Sequence, residues 1–218
     1  MTIPFQFDES LHVYKVDGMV VPGVTRVIDH AGLTSFENVR EDILERRSKL
    51  GTIVHACTHF FDEGDLDWMT VAEEAKGYVD SWANLVTELG LKWQRIEFQC
   101  VGEIDGMKVG MRPDREGFIF GRLSIVDLKI SRQAEPWHAI QTALYALGLP
   151  HPMLTTPMAR FMARDRYIAK LDEHGKKAKL IPYRARNDAD VGRSALAISH
   201  WKLSHGKKIE PLELEVAA

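Results

Sequence analysis

Cysteine is scarce in this chain. Cys57 and Cys100, two among 218 residues, are too few for a disulfide framework, and four-cysteine zinc or iron–sulfur ligation is excluded. Long apolar runs are missing as well. None approaches the ~20 residues that span a bilayer, and Met1 to Ser10 lacks the basic-then-apolar layout of a secretory signal. Two reduced cysteines with no leader are expected of a cytoplasmic protein. The sequence carries no internal repeat, low-complexity tract or Walker A pattern. Nor is there an excess of positive charge, since the formal net charge is -3.

Apolar content of 45% and charged content of 27% are ordinary for a soluble globular protein. The length suits one sizeable domain. The reading is a single domain over 1–218: an N-terminal hairpin and short helix (1–36), a core (37–171), and a C-terminal strand and helix (172–218). Charge is unevenly spread. Between Asp62 and Glu88 eight acids face Lys76 alone, whereas Arg160 to Arg186 is rich in Arg and Lys. A basic segment of that density suits a phosphate backbone, and equally a solvated hairpin.

Asp17-Gly18 between Leu11–Val16 and Met19–Val21 predicts a tight hairpin turn. A short helix is expected over Val24–His30, a long one over Glu37–Phe61 and another over Val71–Leu89, stopped by Gly90. A three-strand meander then fits Trp93–Val101, Gly106–Asp114 and Leu123–Ile130, with Glu116–Gly121 as the connection before its third strand. Pro136 opens a helix that runs to Leu147. Met158–Ala163, Tyr167–Leu171 and Lys179–Tyr183 read as strands, and Asn187 or Asp188 as the cap of a last helix to Leu203. The expected class is α/β, with a mixed sheet flanked by helices.

Chemistry concentrates in Ile125-Val126-Asp127-Leu128-Lys129-Ile130. In a strand, alternate residues share a face, so Asp127 and Lys129 project together with Ile125. A carboxylate and an ammonium in an apolar strand are costly unless paired or liganded to metal. Glu74-Ala75-Lys76 has the same spacing in a polar helical stretch, where it reads as a solvated face. Pro113-Asp114 lies thirteen residues before Asp127. Carboxylates converging from neighbouring strands repel unless a cation sits between them, and oxygen ligands suit Mg²⁺ or Mn²⁺. Asp114 could equally start a turn with Arg115-Glu116-Gly117. His55 and His59 lie one turn apart on a helix, but Ala56 stands where a metalloprotease has glutamate. Gln141 and Tyr145 share a helix face at i,i+4.

Taken in order, His55, Asp114, Asp127-Leu128-Lys129, Gln141 and Tyr145 resemble the RecB-like branch of the PD-(D/E)xK nuclease superfamily. Val21-Pro22-Gly23-Val24-Thr25-Arg26-Val27-Ile28 and Gly51-Thr52-Ile53-Val54-His55 look like its phage-type exonucleases and the mitochondrial genome maintenance exonuclease, although those often carry serine where Gly23 stands. The resemblance implies a restriction-endonuclease-like core of helix, three-stranded meander, helix and strand. It implies a Mg²⁺- or Mn²⁺-dependent DNA exonuclease acting on single-stranded ends in recombination or repair, in a bacterium or a phage-infected host. The alternative is a non-catalytic nucleic-acid-binding accessory on the same fold.

The residue roles follow from the same resemblance. His55, Asp114, Asp127 and the Leu128 carbonyl would be metal ligands, with Glu97 as a further candidate. Lys129 would position the attacking water, and Gln141 and Tyr145 would orient that lysine or touch the DNA backbone. From charge density rather than from the resemblance, Arg160, Arg164, Arg166, Lys176, Lys177, Lys179 and Arg184 are expected to line a DNA channel, with Tyr167 and Tyr183 placed to stack on bases or to pack in the core. The cysteine count departs from relatives that carry an iron–sulfur cluster. Unwinding would need a partner motor, and a recombination or single-strand-binding protein is the expected protein partner.

Overall fold

Three hairpins with two-residue turns and one parallel crossover organise the described residues. The computed structural model describes residues 3–9, 13–34, 40–131 and 133–206. The expected starts of the first hairpin at Leu11 and of the long helix at Glu37 lie outside them. Strands β1 (Gln6–Asp8), β2 (Val13–Val16) and β3 (Met19–Val21) form an antiparallel sheet, one strand more than the expected hairpin. Asp17 and Gly18 both have positive φ, as the tight turn requires. Helix α1 (Val24–His30) follows, then α2 (Glu41–Glu63) and α3 (Glu73–Leu89). Gly64 and Gly90 end the last two in the left-handed conformation.

The expected meander is corrected. Its first strand breaks at Glu97, whose φ is 42°, into β4 (Trp93–Ile96) and β5 (Cys100–Ile104) in different sheets. β5 pairs only with β6 (Met107–Met111), around Asp105-Gly106. The stretch read as a connection is strand β7 (Arg115–Ile119), turned by Phe120-Gly121 into β8 (Arg122–Lys129). The alternative of a turn through Asp114-Arg115-Glu116-Gly117 is not what forms: Arg115 and Glu116 are buried, each held by opposite charge.

Helix α4 (Pro136–Gly148) and α5 (Pro157–Met162) carry the chain over the sheet to β9 (Asp165–Lys170), parallel to β8. The strand expected at Met158–Ala163 is therefore helical. Thr156 accepts the Ala159 N–H and Pro157 opens the first turn, a start signal in so short a helix. β10 (Lys179–Pro182) and α6 (Asn187–His205) complete the chain. Neither Asn187 nor Asp188 caps α6. Arg186 holds the cap position without a side-chain bond, and Asp188 pairs with Arg166.

The central sheet has the order β10-β9-β8-β7-β4 and is mixed, parallel only between β8 and β9. One face packs Val126 and Leu128 against Val54, Val79, Trp82 and Leu85 of α2 and α3. The other packs Ile125 against Val27, Ile28, Ala143, Leu144 and Leu196 of α1, α4 and α6. Alternation along β8 thus works as expected: Val126 and Leu128 anchor the strand on one side, and Asp127 and Lys129 project toward α4. The N-terminal sheet joins through Tyr14 and Val21, which pack with Val101 of β5.

β5 lies hard against the end of α4. A Cβ on Gly102 would stand 2.3 Å from the Gly148 carbonyl oxygen, a backbone atom with no rotamer to relieve the clash. Gly102→Ala should destabilise the protein by about 1–3 kcal/mol, read as a lowered denaturant midpoint. An unchanged midpoint would contradict this packing.

Candidate active site

The register of β7 against β8 builds the site. Arg115 pairs with Val126, so Asp114, one residue earlier, falls opposite Asp127. Asp114 Oδ2 accepts the Leu128 N–H at 2.6 Å, continuing the ladder through a side chain. Both carboxylates are buried, at 8% and 2% exposure. One pleat along β8, Lys129 Nζ lies 2.5 Å from Asp127 Oδ2.

Helix α4 supplies the next layer. Lys129 donates to Gln141 Oε1 at 3.0 Å, Gln141 Nε2 donates to the Tyr145 hydroxyl at 3.3 Å, and that hydroxyl donates to the Arg112 carbonyl at 3.3 Å. This relay ties the lysine to the backbone two residues before Asp114. The indole of Trp137 lies 5.2 Å from Lys129 Nζ. His138, whose pKa burial and then Lys129 push down to about 3, stays neutral and accepts the Glu135 N–H.

Helix α2 and the β4–β5 break close the site. His55 Nδ1 lies 3.4 Å from Asp114 Oδ1 and 3.7 Å from Glu97 Oε1. The left-handed conformation of Glu97 lets its N–H reach the Asp114 carbonyl at 2.8 Å, while Arg112 holds its Oε2 at 2.7 Å. His59 turns to Glu63 at 3.1 Å instead, so the two histidines form no shared pair. The structure therefore gathers His55, Glu97, Asp114, Asp127, Leu128, Lys129, Gln141 and Tyr145 in one place.

The charges are strongly coupled. Burial raises the Asp127 pKa, to about 6, with Asp114 adding to the rise and Lys129 opposing it. Burial acts the same way on Asp114, but the His55 charge, Lys129 and the Leu128 N–H outweigh it and hold Asp114 down. Burial would lower the His55 pKa, yet Asp114 and Glu97 carry it up to about 10. Two buried oxygens, Asp127 Oδ2 and Glu97 Oε1, accept no aligned hydrogen bond among the described residues. For Asp127 Oδ2 the nearby ammonium is thus an ionic contact.

Sequence reading missed the support beneath the site. Arg115 is fully buried and donates to Asp62 at 2.6 Å, to the Asp114 carbonyl at 2.9 Å and to Thr58 at 3.2 Å. Trp82 Nε1 donates to both Asp62 oxygens. In the sequence Asp62 is one of eight acids between Asp62 and Glu88, with nothing local to single it out.

The basic segment is also corrected. Arg160 is spent on the carbonyls of Leu147, Thr155 and Glu103. Arg164 bonds Glu116 and the Pro150 carbonyl, and Arg166 bonds Asp188 and the carbonyls of Ala139 and Ala185. The last two are buried, at 4% and 3% exposure, and all three are held by these internal partners. Lys177 pairs with Glu88, while Lys176, Lys179 and Arg184 are exposed. Tyr167 belongs to the core.

No protein-family model matches this chain, and no curated protein sequence matches it. Its fold is similar to that of a solved protein from Eubacterium rectale described as a candidate exonuclease. The TM-score is 0.51 at 13% identity, over 84% of this chain and 80% of that one. The shared architecture is a mixed central sheet with flanking helices.

Arg115→Met would leave Asp62 charged and buried without its partner. The expected loss is about 3–5 kcal/mol, measured by denaturant unfolding, and a loss below about 1 kcal/mol would contradict the role given to the pair. A second expectation concerns pH. The folded-state pKa of His55 is raised from 6.5 to about 10, so its contribution is complete below pH 6.5 and fades as pH rises through about 10. In metal-free buffer the stability gap between wild type and His55→Gln should be largest at low pH and close toward pH 10. A gap that is constant or widens with pH would refute the assignment.

Proposed function

We propose that the protein is a metal-dependent deoxyribonuclease of the RecB-like PD-(D/E)xK type, hydrolysing phosphodiester bonds as an exonuclease at single-stranded ends. One observation carries this reading: the β7–β8 register sets Asp114 opposite Asp127, with Lys129 one pleat away and tethered to Gln141. The fold likeness supports the architecture alone.

The residues fit a divalent cation by their chemistry. Among the described residues no three acidic, histidine or cysteine side chains already stand as a metal cage. The carboxylates are instead drawn onto the chain's own cations, Lys129, His55 and Arg112. Among the described residues two buried carboxylate oxygens, Glu97 Oε1 and Asp127 Oδ2, accept no hydrogen bond, the second meeting only the Lys129 charge, and a hard cation would satisfy them. Asp114, Asp127, Glu97 and the Leu128 carbonyl would hold it, with His55 joining them once the cation displaces its proton. Bound there, Mg²⁺ or Mn²⁺ would acidify a water and neutralise charge on the phosphate.

The protein's own contribution is positioning. An ammonium has three protons to donate. In Lys129 one is spent on Gln141 and the contact with Asp127 is ionic, which leaves protons for the phosphate or the attacking water. An ammonium held in this way stabilises the extra negative charge of the transition state without having to reorganise. Tyr145 and the Arg112 carbonyl fix Gln141, so the lysine's direction is set by backbone two residues from Asp114.

Digestion of end-labelled and circular DNA, single- and double-stranded, with Mg²⁺ or Mn²⁺ tests the reading. Linear strands should be shortened, and circles spared. Lys129→Ala should bind DNA but lose about 10²–10³-fold in cleavage rate. Cleavage at the wild-type rate by that variant, or DNA binding with no cleavage in either metal, would overturn the proposal. Mn²⁺ should also raise the melting temperature, and a chelator should reverse the rise.

A further inference from the structure

Five arginines line one cleft beside the N-terminal end of β8. The cleft, of about 310 Å³, is lined by Arg122, Arg164, Arg166, Tyr183, Arg184 and Arg186 among others. Arg122 opens β8 five residues before Asp127, roughly 16 Å away along an extended strand.

The charges there do not cancel. Arg166 is neutralised by Asp188 at 2.8 Å. Arg164 bonds Glu116 at 3.1 Å but shares it with Arg95. Arg122 takes Asp165 at 2.9 Å, and more than half of its side chain remains exposed. Arg184 and Arg186 are exposed and make no side-chain hydrogen bond or ion pair among the described residues. Two guanidiniums thus face the cleft without counter-charge, and a third keeps free donors. Planar guanidinium forks match the oxygens of a phosphate. The walls are firm: Phe161 packs under the Arg166 guanidinium at 4.6 Å, the Tyr183 N–H bonds the Arg166 carbonyl at 2.8 Å, and the Tyr183 hydroxyl reaches the Glu135 carbonyl at 3.5 Å. Through Tyr183 the cleft adjoins the start of α4, the helix that orients Lys129.

We propose that this cleft seats a phosphate ester of a nucleic-acid strand, held by Arg122, Arg184 and Arg186, as a second contact away from the acidic cluster. The anion seat stands on its own geometry, and only the identity of the strand rests on the nuclease reading. A free mononucleotide has the same chemistry, and the experiment separates the two.

Binding of a labelled oligothymidylate of about 20 nucleotides to the full chain in EDTA is measured between about 50 and 200 mM salt. Arg184→Glu combined with Arg186→Glu should weaken it about tenfold or more. The slope of log affinity against log salt should become shallower by about 1.4, two phosphate contacts at ~0.7 each on a single strand. Arg184→Lys with Arg186→Lys should restore the slope, and melting temperatures should not move. An unchanged slope in the glutamate pair overturns the cleft, and if DNA is still cut the nuclease reading stands. A changed slope in a protein that cuts no DNA leaves the cleft and removes the nuclease. Thymidine monophosphate binding lost in the glutamate pair, with oligonucleotide binding intact, would overturn the strand assignment. Displacement by poly-glutamate as effective as by the oligonucleotide would overturn the phosphate chemistry.

Discussion

A charge with no access to water anchors this structure. Arg115 cannot lose its proton, and it sits under the sheet with no exposed surface. Such a guanidinium is tolerable only where its nitrogens find acceptors, and each of the three does. The acceptors come from separate places: Asp62 and Thr58 from α2, the Asp114 carbonyl from the strand itself. Trp82 of α3 completes the set by donating to Asp62. Docking of α2 and α3 on the sheet is therefore a condition for burying Arg115, not merely a way of covering apolar surface. His55 lies on α2 one turn before Thr58, whose hydroxyl donates to the His55 carbonyl. The pair that anchors the helix thus also sets the height at which the imidazole meets Asp114.

The acidic cluster follows a related rule with a different outcome. Asp114, Asp127 and Glu97 repel one another, and each is countered from a different element: His55 on α2, Lys129 on β8, Arg112 before β7. Unlike the Arg115 set, these pairings are incomplete, because two carboxylate oxygens accept no hydrogen bond among the described residues. The support is satisfied and the site above it is not. That contrast is expected where a scaffold holds groups meant for a ligand.

Much of this was readable in the sequence because alternation and turn chemistry are local. Asp127 and Lys129 on one face, Val126 and Leu128 on the other, followed from strand geometry. Asp17-Gly18 marks its turn, and Gly90 ends its helix. Strand β7 was not readable. Its first two residues are Arg115 and Glu116, charges that local composition assigns to solvent, whereas their partners lie up to 53 residues away. The same limit hid Asp62 and misplaced Arg164 and Arg166. A run of basic residues records how much charge is present, not whether carboxylates and carbonyls elsewhere already hold it.

The site's dependence on β7 gives that hidden strand its weight. Had Asp114 simply started a turn, its carboxylate would have had solvent on several sides and no fixed relation to Asp127. With β7 in the sheet, the ladder carries Asp114 to its place, and the Leu128 N–H, which would otherwise bond a strand carbonyl, bonds its side chain. The Asp114 side chain thereby acts as one rung of the sheet. A carboxylate in that position cannot swing toward solvent without opening the ladder beside it. Its negative charge is therefore held in place by backbone pairing, and the Gln141–Tyr145 relay holds Lys129 to the same strand end through Arg112. Opposite charges fixed independently to one rigid edge keep their spacing whichever partner binds between them.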